Sequence, residues 1–209
     1  CISRFYAPSS GDIRFEGNSI LGRRPHDIAA LGIGRTFQNI ELCRRMTVLE
    51  NVLIGSAPQT APYIPFWPTP RRARAERILV AEAEALLEGV GLLPYRDTPA
   101  GRLDFGHQKM LDLARALAGK PRLLLLDEPA AGLRNREIAA LDALLVDLAR
   151  KRGITIILVE HVMQLVMAVA DRLTVLSFGE MIAEGTVAEI RSNERVIEAY
   201  LGRGANVAP

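Results

Sequence analysis

Apolar residues follow two different rhythms along this chain. Leu123 to Leu126 run unbroken between Pro121 and Pro129, and Ile154 to Val159 form a second such run. Short continuous runs of this kind predict strands buried on both faces of a parallel sheet. Ile33 to Gln38 reads as a further strand, ending in a polar amide. Helical spacing appears over Arg71 to Val90, where Ile78, Ala81, Ala85 and Leu86 recur, and over Phe105 to Ala118, with Met110, Leu111, Ala114 and Leu117 apolar. Residues 135–152 predict an amphipathic helix stopped by Gly153. Shorter helices are predicted at 162–170, 187–191 and 194–201, and strands at Leu173–Leu176 and Met181–Ala183 flank Gly179. From 119 to 177 strand and helix alternate, which predicts a parallel α/β sheet. Residues 41–118 contain helices only, which predicts a helical insertion.

Local punctuation adds detail. Thr47 with Glu50 three residues on predicts a capping box at a helix start. Prolines at 58, 62, 65, 68 and 70 predict an irregular loop carrying Tyr63, Phe66 and Trp67. Residues 1–6 read as the end of a helix, followed by a loop at Pro8–Gly11. Ile13, Phe15 and Ile20 around Gly17-Asn18 predict a small hairpin, and Ile28 to Leu31 a short helix ending at Gly32.

A length of 209 residues suggests one domain, or one and a half. The net charge of +2 points neither toward nor away from nucleic acid. The lysines are Lys109, Lys120 and Lys151, and none sits in a glycine-rich loop. Cys1 and Cys43 make neither a disulfide framework nor a metal pattern, which favours a reducing, cytoplasmic location. No run reaches the roughly 20 apolar residues of a membrane span. The first residue is Cys rather than Met, so the chain reads as the remainder of a longer protein.

Candidate chemistry lies where apolar strands end: Gln38, Asp127-Glu128 and His161. Ligands of open parallel sheets collect at the carboxyl ends of the strands. Taken singly, each residue has a plainer reading: a solvated amide, two solvated acids, a helix-capping histidine. Taken together in one parallel sheet, they converge on one edge. Asp127 would hold Mg²⁺ through hard oxygen ligands, and Glu128 would orient and activate a water.

These residues resemble the ATP-binding cassette ATPases. Leu123–Glu128 resembles the Walker B strand with its catalytic glutamate, Thr36-Phe37-Gln38 the Q-loop, and Leu158-Val159-Glu160-His161 the switch-histidine loop. Leu103 followed by Asp104, Phe105, Gly106, His107 and Gln108 lies at the signature motif, and Ala130-Ala131-Gly132-Leu133 resembles the D-loop. Together with Met46–Val52 and Val196–Gly202, these stretches resemble the ATP-binding subunits of branched-chain amino acid importers. The resemblance implies a RecA-like P-loop NTPase core with a parallel sheet, plus an inserted helical subdomain. The implied boundaries are 1–40 for the N-terminal core up to the Q-loop and 41–118 for the helical subdomain. They continue with 119–187 for the core carrying Walker B, D-loop and H-loop, and 188–209 for the C-terminal helices and tail.

It also implies ATP and Mg²⁺ as cofactors. Asp127 and Gln38 would attend the metal, with Glu128, His161 and Gln38 in catalysis. Asp104 to Gln108 would meet the ATP of a second ATP-binding subunit in a homo- or heterodimer. Implied partners are membrane permease subunits and, indirectly, a periplasmic or extracellular solute-binding protein, with no nucleic acid. The implied location is the cytoplasmic face of the plasma membrane, as a peripheral subunit. The segment from Gln38 to about Trp67 would dock the permease.

The chain departs from the family in three places. The phosphate loop G-x-x-x-x-G-K-[ST] does not occur in the 209 residues, and its strand would be expected beside 122–127. Asp104 stands where the family usually has Ser, and His107 where it commonly has Gln or Glu. Arg134 follows the D-loop Leu, where Asp or Asn is common. Competing readings are an ATPase of the same family for another cargo, such as lipopolysaccharide export, and a degenerate, non-hydrolysing dimerisation or regulatory module.

Overall fold

The computed structural model describes residues 1–37, 40–60 and 70–201. Gln38 and the aromatic residues Tyr63, Phe66 and Trp67, with the docking surface expected there, lie outside them. The chain divides into two compact units, Cys1–His161 and Val162–Pro209.

The first unit opens in turns rather than the tail of a helix. Arg4 is left-handed at φ 60°, a conformation that ends right-handed helical winding. A hairpin follows, β1 (Arg14–Phe15) with β2 (Asn18–Ser19). Its two central residues, Glu16 and Gly17, both have positive φ, which matches the twist of a two-residue turn. Helix α1 (Pro25–Ala30) leads into β3 (Ile33–Arg35). The strand stops three residues short of Gln38.

The helical insertion holds α2 (Val48–Thr60), α3 (Pro70–Gly89) and α4 (Phe105–Ala118). The Thr47 capping box is present: Thr47 N–H donates to Glu50 Oε2 at 2.7 Å, and Glu50 N–H donates to Thr47 Oγ1 at 3.1 Å. Helix α2 continues past Pro58, where the proline density predicted irregular chain. A proline removes one helical hydrogen bond, and burial of Val48, Leu49 and Val52 upstream anchors the helix. Pro70 opens α3, where a missing N–H has no helical partner to lose. The three helices enclose a core around Val52, Leu87, Leu92 and Leu111.

Gly55 lets α2 approach α4 closely. A Cβ at Gly55 would stand 2.0 Å from the Arg115 carbonyl oxygen, so even alanine cannot fit without moving a helix. Gly55→Ala is expected to destabilise the fold by about 3 kcal/mol, the upper end of ordinary overpacking costs. A denaturant midpoint within error of the parent would show that the helices separate freely.

Strand β4 (Leu123–Asp127), helix α5 (Asn135–Arg150) and strand β5 (Thr155–Val159) complete this unit. The sheet is parallel in the order β3-β4-β5, with Arg35 opposite Leu125 and Asp127 opposite Val159. Leu124 and Leu126 are buried, as the unbroken apolar run predicts. Both edges of β4 are therefore occupied, so an additional strand could not lie beside 122–127 as expected. Among the described residues the outer edges belong to β3 and β5. On β5, Ile157 is 43 % exposed and Val159 58 %.

In the second unit, α6 (Met163–Val169) precedes β6 (Leu173–Ser177), β7 (Glu180–Gly185), α7 (Val187–Arg191) and α8 (Glu194–Leu201). The strand–helix alternation predicted β6 as a further parallel strand. Its described partner is β7, antiparallel, through a tight turn with Phe178 and Gly179 at positive φ. Thr186 caps α7, with a Thr186–Glu189 capping box.

Candidate active site

The parallel register of β4 and β5 brings their polar ends together. Glu128 N–H donates to Val159 O at 2.9 Å, which carries the β4 backbone one residue past the strand. Glu128 itself is left-handed at φ 46°, an uncommon conformation for a residue with a Cβ. Its carboxylate Oε1 lies 3.7 Å from Nδ1 of His161, whose side chain is mostly exposed. Asp127, at the last position of β4, has its Oδ2 3.7 Å from Arg35 Nη2. A cleft beside Asp127 is lined by Thr36, Phe37, Lys109 and Asp112. Asp127, Glu128 and His161 are thus brought to one edge, as the polar strand ends predicted. Gln38 lies outside the described residues.

The segment Asp104–Gln108 forms the start of α4. Asp104 is the N-cap: its Oδ1 accepts from His107 N–H at 2.9 Å and lies 2.8 Å from His107 Nδ1. That backbone N–H, helped by the His107 side chain, holds the Asp104 carboxyl below its ordinary range. Gln108 Nε2 donates to Leu103 O at 2.8 Å, and the His107 ring stands 5.0 Å from that of Tyr95. Phe105 faces the loop after β4, and Gly106 faces Glu137 in the first turn of α5. A Cβ on Gly132, at φ 77°, would lie 2.7 Å from Phe105 Cε1, and one on Gly106 would lie 2.8 Å from Glu137 Oε1. Gly132 is required by its φ and by the Phe105 ring, whereas at Gly106 the neighbour is the movable end of the Glu137 side chain. Arg134 N–H donates to Glu137 Oε2 at 2.7 Å, so the residue after the D-loop leucine serves the start of α5.

Three residues of the site carried no role in the sequence reading. Arg35 is the ion-pair partner of Asp127. Glu160 has a fully buried side chain whose Oε1 accepts from Ala130 N–H at 2.7 Å and whose Oε2 accepts from His161 N–H at 2.9 Å. Lys109 Nζ donates to Glu128 O at 2.7 Å and to Pro129 O at 3.2 Å. Burial pushes the Lys109 ammonium pKa down, while Glu160, Glu128 and Asp112 oppose the shift. Asp112 is buried on α4, which pushes its carboxyl up against the pull of Arg115, whose Nη2 lies 2.5 Å away. Lys109, Asp112 and Arg115 recur every third residue on one face of α4, a spacing that groups them but does not name their remote partners.

No helix among the described residues is long and apolar enough to cross a membrane. No cluster of three or more His, Cys, Asp or Glu suited to a metal occurs among them either. Such a cluster is unnecessary for Mg²⁺, which arrives with phosphates and takes one or two carboxylates. A single strand-end carboxylate, Asp127, fits that donor set.

Comparison with known proteins identifies the family. The family model described as ABC transporter matches residues 1–131, and one described as branched-chain amino acid ATP-binding cassette transporter matches residues 180–206. The high-affinity branched-chain amino acid transport ATP-binding protein BraF of Pseudomonas aeruginosa is 41 % identical over 204 residues, covering 97 % of this chain and 80 % of BraF. LivG of Escherichia coli K12, named in the same way, is 40 % identical with the same coverage. The ADP conformation of MJ1267, an ATP-binding cassette of an ABC transporter, superimposes with a TM-score of 0.79 at 32 % identity, covering 96 % of this chain and 80 % of that one. The cbiO1 cassette of Clostridium perfringens, part of the cbiONQ transporter complex, gives 0.74 at 28 % identity, covering 97 % and 77 %. Its sheet, its helical insertion and its sequence matches agree: the chain belongs to the ATP-binding cassette transporter family, as an ATP-hydrolysing subunit with a RecA-like core.

Proposed function

We propose that this chain powers the import of branched-chain or related amino acids by coupling ATP hydrolysis to motion of membrane permease subunits. The observation that carries the reading is the meeting of Asp127, Glu128 and His161 at one sheet edge, in a chain whose relatives are named for branched-chain amino acid transport. Cassettes of this family act with permease subunits and dimerise. Here the second copy or a homologous subunit would meet the Asp104–Gln108 face.

In this reading Glu128 accepts a hydrogen bond from the attacking water and draws its proton. His161, within reach of the same carboxylate, holds the water and the terminal phosphate. Asp127 orders Mg²⁺, assisted by Gln38. Mg²⁺ bound with ATP would supply neutralisation of phosphate charge. Glu160 keeps the D-loop turn and the His161 backbone in register. The work takes place at the cytoplasmic face of the membrane, on a peripheral subunit.

The test is complementation. A chimera carrying the phosphate-loop segment of BraF ahead of Cys1 would be expressed in Pseudomonas aeruginosa lacking BraF. Restored uptake of radiolabelled leucine, isoleucine and valine is expected. An ATPase-competent chimera that restores none of the three would assign this chain another cargo.

A further inference from the structure

We infer that Lys109 is a positioning residue for hydrolysis, fixing the direction of Glu128 by holding the carbonyls of Glu128 and Pro129 from the first turns of α4. This inference rests on the reading of Glu128 as the hydrolytic carboxylate.

The turn after β4 contains two consecutive carbonyl groups that converge on one point. Their dipoles repel unless a cation occupies that point. Lys109 Nζ occupies it, at 2.7 Å from Glu128 O and 3.2 Å from Pro129 O. The same ammonium lies 5.5 Å from the centre of the Phe105 ring, a favourable cation–π placement. A charge-assisted hydrogen bond to a backbone carbonyl is stronger than a neutral one.

What this holds in place is a strained residue. Glu128 sits at φ 46°, a conformation non-glycine residues keep only where their surroundings enforce it. The contacts that enforce it include a local one, Ala131 N–H donating to Glu128 O at 3.2 Å, and three from elsewhere in the chain. Val159 O accepts from Glu128 N–H, Glu160 Oε1 accepts from Ala130 N–H, and Lys109 binds the carbonyls. The first two come from β5 and its end. Of these three, the third comes from α4. Lys109 directly follows Asp104–Gln108, and Phe105 of that segment packs against Gly132 of the same loop. Movement at the start of α4 would therefore shift the ammonium and release the Glu128 backbone, turning the carboxylate away from His161.

The experiment compares Lys109→Met and Lys109→Arg in the full chain extended by a phosphate-loop segment, beside Glu128→Gln. Lys109→Met is expected to lower kcat roughly 10- to 100-fold, the scale of a small misplacement of a reacting group, with KM for ATP within about threefold and an unchanged melting temperature. Lys109→Arg, which keeps charge and two donors, should recover most of the loss. If Glu128→Gln abolishes turnover while Lys109→Met leaves kcat within about twofold, the inference fails and the reading of Glu128 stands. A fall in kcat that Arg does not rescue, or that comes with a lowered melting temperature, marks Lys109 as merely structural and also overturns it. If Glu128→Gln keeps parental turnover, the reading of Glu128 itself fails.

Discussion

Replacing Glu128 by Gln, in a version of the chain that carries a phosphate loop, is expected to reduce ATP hydrolysis by roughly 10² to 10⁴-fold, the usual contribution of a positioned base. The amide keeps the size of the side chain and its Oε1, so the backbone turn and the contact toward His161 persist. The charge that attracts the proton of the attacking water is lost. Binding should survive, because Asp127, with its separate place at the end of β4, would still be there to hold Mg²⁺. The variant should therefore accumulate with ATP bound, and Mg-ATP titration should give an affinity close to the parent. Turnover near the parental rate would transfer the role to another group, with Glu160 and His161 the nearest candidates.

The second large effect concerns the 209 residues by themselves. The motif G-x-x-x-x-G-K-[ST] does not occur in them. Its backbone donors, lysine and hydroxyl supply the grip on the β- and γ-phosphates in P-loop proteins. Three charge-assisted bonds of about 1.5–3 kcal/mol each amount to about 4.5–9 kcal/mol, or roughly 10³ to 10⁶ in Kd. The acidic groups Asp127, Glu128 and Glu160 repel phosphate unless a cation intervenes. Lys109, the nearest ammonium, is already engaged by two carbonyls. Calorimetric titration with Mg-ATP is expected to give no measurable heat from the 209 residues and micromolar binding from the extended version. Micromolar binding by the short chain would mean that the nucleotide is held by groups other than a phosphate loop.

Much of this architecture is legible in single-residue patterns. Helix α4 has the bounds its periodicity predicts, because six of its residues are buried on consecutive turns. The Thr47–Glu50 box is present because both of its bonds are local. Asp127, Glu128 and His161 meet because parallel register aligns strand ends, and strand ends can be read from where apolar runs stop. The missed site residues have a common cause, since their contacts depend on partners far along the chain. Lys109 reaches carbonyls 19 and 20 residues away, and Glu160 an amide 30 residues away. No local rhythm encodes a side chain bonded to a remote backbone. Strand neighbours are equally non-local, so the placement of another strand beside β4 could not be checked until β3 and β5 were seen on its two edges. The turn at Arg4 depends on a single left-handed residue that is not glycine, which composition does not signal.

The outer edge of β5 bears on how the 209 residues by themselves behave in a tube. Its ladder ends there among the described residues, and Ile157 and Val159 offer apolar side chains to the solvent. Such an edge accepts strands from neighbouring molecules. A formal charge of only +2 gives little mutual repulsion to keep copies apart. Concentration and ionic strength would therefore govern how long a preparation stays monodisperse, with added salt shortening that time by screening what repulsion there is.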